Sequence, residues 1–540
     1  MDSRNATATD VAATWHYASL AFWYSVYAAS AIVGFSILKL IYNISPFHPL
    51  SKYPGPLLWR ATRLTASWHQ ARGDLYKCID AIHSKYGPTV RIAPDELSFT
   101  NPEAWSQIYN TRPQLQKTEF HFGRADERKL PESLIMANDA EHARLRRLAN
   151  PAFLTAGILE VEPVMQYYAD LLCNQLLHEV SHARSQPQDM VQWFLWTLND
   201  VIGKLALDQE FDCLKLRRMH PWPKFLLRGL KNIAIFNQFR RFGITEKMLV
   251  PLMSKKQLEA RDNFFNEAVS AVDRRLAREK SEKAGDGEKK TPDIVGLMLR
   301  EMKDGNRLTE KEVTANSILI VGGGAETTSS CLSGTFYHLL KTPRVLKKLQ
   351  QEIRSGFACP KEITIRATSN LPYLKATVEE SLRIFPIASY ITPRTTPKGG
   401  HMITGDHVPG GTYVSMGQWH MGRSGQLFDN PKEFRPERWL DELDVKGPAN
   451  LRPDEILKPF SLGPRNCIGK QRVRPALIQC GFADELSRLA LTEARLVIAK
   501  LLWHFDMELD GDHSTWVEDA RFYVLWELQP LNVKLTPVRR

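Results

Sequence analysis

Apolar positions recur every three to four residues over long stretches of this chain. Segments 158–180, 191–207, 254–277, 343–357 and 373–385 all carry that period, which places their apolar side chains on one helical face. A period of two appears at Val90 and Ile92, then Leu97 and Phe99, on either side of Pro94-Asp95, and predicts a small β-hairpin. The run 278–293 (REKSEKAGDGEKKTPD) is charged and contains glycine, and reads as a solvated loop. No internal repeat interrupts the pattern. The expected fold class is mainly α with a minor β component, in one large domain covering 46–540.

The first residues follow a different rule. From Val11 to Leu38 there is no Asp, Glu, Lys or Arg. Residues 17–42 are long enough to cross a bilayer core, which takes about 20 residues. Trp15, Tyr17, Trp23 and Tyr24 suit an interfacial belt. Asp2, Arg4 and Asp10 leave no positive leader, so an uncleaved anchor is favoured over a signal peptide. Lys39, Lys52, Arg60 and Arg63 follow the span and place the body on the cytosolic side. Residues 1–45 then form a luminal N-terminus and transmembrane anchor. Asn5-Ala6-Thr7 is a sequon on the luminal side. Pro46, Pro49, Pro54 and Pro56 make 46–56 a stiff neck.

Composition narrows the partners. Lys and Arg number 71 against 60 Asp and Glu, a formal charge of +11. The charges are dispersed, which fits a lipid surface or an acidic protein and no nucleic acid. Seven cysteines without a CxxC pair point to a reducing compartment.

The chemistry gathers at FSLGPRNCIG, residues 460–469. A metal-binding thiolate at Cys467 must be held negative, and the N–H groups of a glycine-rich turn do that. Gly463 and Gly469 allow the backbone to approach a flat ligand. Phe460 covers the sulfur, and Arg465 is placed to pair with an anionic edge.

This stretch resembles the cysteine-ligand loop of the cytochrome P-450 family, the haem-thiolate monooxygenases. The resemblance implies that fold, preceded here by one transmembrane helix, and haem b with Cys467 as axial iron ligand. Phe460, Arg465 and Gly469 are then cofactor-binding. It extends to NSILIVGGGAETTSS, where Glu326 and Thr327 match the acid-alcohol pair that relays protons for oxygen activation. Gly322, Gly323 and Gly324 form a weak, bendable stretch of that helix. The family's structural triad falls on Glu380 and Arg383, one helical turn apart, and Arg438 in FRPERW. His142 and Arg146 at i, i+4, together with Arg394, match the propionate partners. Substrate would meet Ile318, Leu319, Gly322, Ile387, Ile391, Phe120 and Phe122, all of them suited to a hydrophobic terpenoid or polyketide.

The resemblance covers nearly the whole chain and is strongest to fungal membrane-bound members similar to isotrichodermin 15-hydroxylase. It implies secondary metabolism, mycotoxin biosynthesis included. It also implies electrons from NADPH through a separate NADPH-cytochrome P-450 reductase, and a single-pass location in the endoplasmic reticulum membrane. One feature departs from the family. Between Lys470 and Leu489 lie about 17 residues more than the pattern has, the atypical insert near 472–488. Loops longer than about 12–15 residues are uncommon in compact domains. The insert is either a surface loop on the reductase-facing side or a retained intron. The second is favoured, because nothing in RVRPALIQCGFADELSR is suited to that place. A membrane-anchored haem protein with little turnover, or a rearrangement enzyme of the same fold, stay open as alternatives.

Overall fold

A computed structural model describes all residues except 1–2, 119–130, 183–185, 245–247, 249–250, 252–253, 285–292, 301, 303–304, 390–391, 441–446, 471–488 and 540. The chain begins with helix α1, Ser3–Ile44. Its stretch Trp15–Ile44 has mean hydropathy 1.6, its most apolar 18 residues are not buried in protein, and it is long and apolar enough to cross a membrane.

The neck that follows packs onto the body. Arg91 explains this. Its backbone N–H donates to Pro54 O (2.8 Å). Its guanidinium donates to Asn43 O (2.9 Å) and to His48 Nε2 (3.2 Å). Burial, then Arg91, pushes the His48 imidazolium down to about 4, so the ring is the neutral acceptor that this contact needs. Leu50 and Tyr53 are buried alongside.

Two helices, α2 (Leu64–Arg72) and α3 (Leu75–Tyr86), lead into the expected hairpin, β1 (Thr89–Ala93) with β2 (Glu96–Phe99). Val90, Ile92, Leu97 and Phe99 are at most 1 % exposed. The intervening polar residues are buried too, because Arg91 grips the neck while Glu96 accepts from Arg63 (2.5 Å) and Arg241 (2.7 Å). The hairpin edges a five-stranded sheet that also holds β3 (Gln116–Lys117), β4 (Arg394–Thr395) and β5 (Tyr413–Met416), in the order β1-β2-β5-β4-β3. Only the β2–β5 pairing among these is parallel.

The helical part follows the apolar periodicity. Its elements are α4 (Asp139–Ala149), α5 (Thr155–His182), α6 (Met190–Leu207), α7 (Pro221–Arg240), α8 (Lys255–Ala284), α9 (Glu310–Leu340), α10 (Pro343–Gly356), α11 (Pro372–Ile384) and α12 (Leu489–His504). α9 runs through the centre, packed along α6 and touching α11 and α12. One expectation is corrected here. The charged run 278–293 is not all loop: α8 continues to Ala284, and Arg275 and Arg278 donate to buried Asp293 (2.5 and 2.9 Å). A buried carboxylate recruits both cations, including Arg278 from the run that composition alone had assigned to solvent. Residues 285–292 of that run lie outside the described residues.

Candidate active site

The site is built where α9, α12, α4 and the 460–470 loop meet. Cys467 N–H donates to Phe460 O (3.0 Å), and Lys470 N–H to Cys467 O (3.1 Å), so the loop folds back on itself. Cys467 is surrounded by protein, yet its side chain is exposed to the cavity that it lines. Burial raises its thiol pKa, while the N–H groups of Gly469 and Lys470 and the charge of Arg146 act the other way. These are the groups that stabilise a thiolate once a metal charge offsets desolvation. Gly463 has a separate reason from the one expected. Its φ is +74°, and a Cβ there would meet Tyr109 O at 2.0 Å, so it serves packing of the loop. A Cβ on Gly469 would meet Cys467 Sγ at 3.7 Å, beside the sulfur.

The cavity, about 530 Å³, runs from Cys467 and Phe460 past α9 and α6 to a second hairpin, Arg521–Phe522 paired with Trp526–Glu527, near Tyr523. Its cationic rim joins Lys117, His142, Arg146, Arg394 and Arg465. Lys117 and Arg394 are direct partners across β3 and β4. Arg465 donates to Asp139 through Nε (3.1 Å) and Nη2 (2.8 Å). The Nη1 atoms of Arg394 and Arg465 are buried without a hydrogen-bond partner. Burial, then Arg394 and Arg465, pulls the Lys117 ammonium down to about 7. Burial, then Arg465 and Lys117, pushes His142 down to about 3. Two buried guanidinium N–H groups without an acceptor, on Arg394 and Arg465, leave room for an anionic ligand at this rim. A flat group with two carboxylates at one edge and a metal facing Cys467 is such a ligand, so the residues fit haem. Arg146, while lining the cavity, also holds the ligand loop: it donates to Asn466 O (2.7 Å), Asn466 Oδ1 (2.9 Å) and Cys467 O (3.1 Å).

α9 presents one face to this space. Leu319, Gly323 and Thr327 form one row, four residues apart, and Ile320, Gly324 and Thr328 the next; all line the cavity. A Cβ on Gly323 would meet nothing within 4 Å, so the groove is open there. The helix is unbroken across the three glycines. The carbonyl of Gly323 also receives the Thr327 hydroxyl, at 2.7 Å. Ile318 and Gly322, expected to meet substrate, belong with Glu326 to the row behind and are not part of the cavity wall. The reason is the 100° turn per residue, whose phase apolar content alone does not reveal. The Glu326 carboxyl is buried, with no partner for Oε2, and desolvation raises its pKa to about 8. Ile387 lines the cavity. Phe120, Phe122 and Ile391 lie outside the described residues.

The triad residues come together in the core. Arg383 donates to Glu380 through Nε and Nη2, both at 2.8 Å. Arg438 Nε (3.3 Å), Arg435 N–H (2.8 Å) and Trp439 Nε1 (2.9 Å) complete the carboxylate's partners.

Sequence reasoning missed Lys117, which no motif marks, and Glu493 on α12. Glu493 lines the cavity, its Oε1 has no partner, and burial raises it to about 8.

The insert's ends are adjacent. Leu489 N–H, at the start of α12, donates to Gly469 O at 3.1 Å. Residues 472–488 themselves lie outside the described residues, but the ligand loop and α12 meet without them. Joining Gln471 directly to Leu489 is therefore expected to increase the fraction of correctly ligated haem. The measurement is the reduced carbon-monoxide spectrum per mole of protein. Normal spectra and turnover of the full chain, with a mature transcript encoding 472–488, would make the stretch a true loop.

A cysteine loop under a largely apolar cavity with basic residues at its rim is an arrangement that fits a haem-thiolate site, and the comparisons with known proteins show the family. The family model described as Cytochrome P450 matches residues 49–481. The chain belongs to the cytochrome P450 family and is a P-450 monooxygenase. It is 35 % identical over 520 residues to cytochrome P450 monooxygenase atr2 of Stereocaulon alpinum, covering 95 % of this chain and 96 % of that one. It is 36 % identical over 502 residues to averantin hydroxylase of Aspergillus parasiticus, covering 91 % and 93 %. It is 34 % identical over 507 residues to cytochrome P450 monooxygenase FUM2 of Gibberella moniliformis, covering 93 % and 100 %.

Proposed function

We propose that this monooxygenase hydroxylates a hydrophobic secondary metabolite, a terpenoid or polyketide. It would do so at the endoplasmic reticulum membrane, with electrons from NADPH delivered by a separate reductase. The observation that carries this reading is the cavity that joins Cys467 to the apolar wall of α9 and α6. A relative named for hydroxylating averantin supports the reaction type. The membrane location is supported by α1 and by exposed apolar residues just beyond it, among them Phe47 at 85 % and Trp68 at 62 %.

Haem bound in this cavity would be held by Cys467 below and by His142, Arg394, Arg465 and Lys117 at its carboxylates. It supplies the oxygen-activating chemistry, and the thiolate favours O–O cleavage. The chain's own residues do the rest. Leu319, Ile320 and Ile387, with Leu198, Val201 and Ile202 of α6, exclude water and orient an apolar substrate. Glu326 is mostly protonated at neutral pH, since burial raises it to about 8. It stores a proton directly behind Thr327. The Thr327 hydroxyl has a single hydrogen, now given to Gly323 O, and it must rotate toward the cavity to pass one on.

The test is reconstitution of the full chain with NADPH-cytochrome P-450 reductase, with product identification and a count of product per NADPH consumed. In Thr327→Ala, haem and substrate still bind, and product formation falls by roughly 100-fold while electrons drain into hydrogen peroxide, in keeping with the weight of proton-transfer catalysis. Unchanged coupling would remove Thr327 from the relay.

A further inference from the structure

Away from the cavity, three side chains of different chemistry converge at the turn between α2 and α3. His69 comes from the last turn of α2. Asp74 caps α3 with its backbone, and its carboxylate makes no capping bond to that helix. Cys78 follows one turn later, on the same face as Asp74. His69 Nδ1 lies 2.8 Å from Asp74 Oδ1 and 3.3 Å from Cys78 Sγ. The three ligand atoms all fall within 4.8 Å of one another.

Hydrogen bonding accounts for this cluster incompletely. Nδ1 carries at most one hydrogen, so its two close neighbours share that hydrogen, or one of them faces a bare lone pair. A cation satisfies all three at once, because each offers a lone pair to the same point. In tetrahedral zinc sites, with bonds of about 2.0–2.3 Å, ligand atoms stand roughly 3.3–3.7 Å apart. The sulfur–nitrogen separation already matches. The nitrogen–oxygen separation must open by a few tenths of an ångström, while the other Asp74 oxygen, Oδ2, stays beside Arg72 Nε at 3.4 Å. The ring of His69 is held by stacking on Trp59, with centroids 5.5 Å apart and planes 12° from parallel. The arrangement therefore has an outer support for its histidine.

We propose that His69, Asp74 and Cys78 form a zinc site, with water as the fourth ligand. The mixed N, O and S donor set selects a borderline-soft cation of this kind over magnesium or calcium, which take oxygen ligands. On loading, the Cys78 thiol proton passes to solvent and the His69 proton resides on Nε2. The site is tied to the cavity wall. Gln70 Nε2 donates to Tyr523 O (2.9 Å), Phe522 N–H donates to Gly73 O (2.8 Å), and Arg521 Nη1 donates to Arg72 O (2.9 Å). Phe522 and Tyr523 line the substrate cavity. An occupied site stiffens the turn from which this hairpin hangs.

The experiment is a cadmium titration of the purified, haem-loaded full chain, followed by the ultraviolet thiolate-to-cadmium charge-transfer band and then by zinc competition. One saturating equivalent, displaced by zinc, is expected. Cys78→Ser abolishes the band. His69→Ala weakens binding by about tenfold or more, as loss of groups around a metal typically does. Cys359→Ser, a half-buried thiol elsewhere, leaves the band unchanged. Zinc should also protect Cys78 of the unaltered protein from alkylation, read by mass spectrometry, which needs no variant to fold. The proposal is overturned if the unaltered protein shows no saturable band with its haem spectrum intact. It is equally overturned if Cys78→Ser binds cadmium with the same stoichiometry and affinity, or if zinc leaves Cys78 alkylation unaltered.

Discussion

In Cys467→Ser the reduced carbon-monoxide complex loses the red-shifted Soret band that depends on thiolate ligation, and monooxygenase activity goes with it. The expectation rests on position as much as on motif. Cys467 opens onto the same cavity as Thr327 and the cationic rim. Two loop amides and Arg146 oppose the desolvation of its sulfur. A serine oxygen keeps the loop's hydrogen bonds but binds iron weakly and donates little charge. Cys359→Ser is the control and keeps the band. A Cys467→Ser protein that retained the band would move the iron ligand elsewhere.

Glu380→Ala has the second large effect, on stability. Glu380 and Arg383 are 0 % and 1 % exposed, and Arg438 is 5 % exposed. Removing the carboxylate leaves two buried guanidiniums facing each other and strips Arg435 N–H and Trp439 Nε1 of their acceptor. Loss of one partner from a buried ionic set costs about 3–5 kcal/mol. Arg383 also donates to the carbonyls of Gly422, Pro431 (2.7 Å) and Glu433 (2.8 Å), so the damage spreads into the segment that leads to FRPERW. Denaturant unfolding in detergent, with haem release as a second readout, checks this. The exposed pair Lys231–Glu527 supplies the contrast, and Glu527→Ala there should cost less than about 1 kcal/mol. Equal losses at the two sites would contradict the role given to Glu380.

What the chain order alone determined is chiefly local. Glu380 and Arg383 share a face because three residues make nearly one helical turn. The 460–469 loop folds back on Cys467 because its bonds join near neighbours. The apolar helix Trp15–Ile44 needs only length and composition. The hairpin at 89–99 followed from alternation, and the helices from their period. Tertiary structure decided whatever depends on rotation about an axis or on distant approach. The phase of α9 put Leu319, Gly323 and Thr327 into the cavity and turned Ile318, Gly322 and Glu326 away, a difference of one residue that apolar content cannot distinguish. Lys117 joined the rim through strand pairing with Arg394, 277 positions later. Asp293 drew in Arg275 and Arg278 because a buried carboxylate requires a partner. The meeting of Gly469 with Leu489, across an insert that the order of residues places between them, is likewise a product of packing. A spacing of three or four residues is held by the backbone itself, whereas contacts across hundreds of residues exist only once the core has closed.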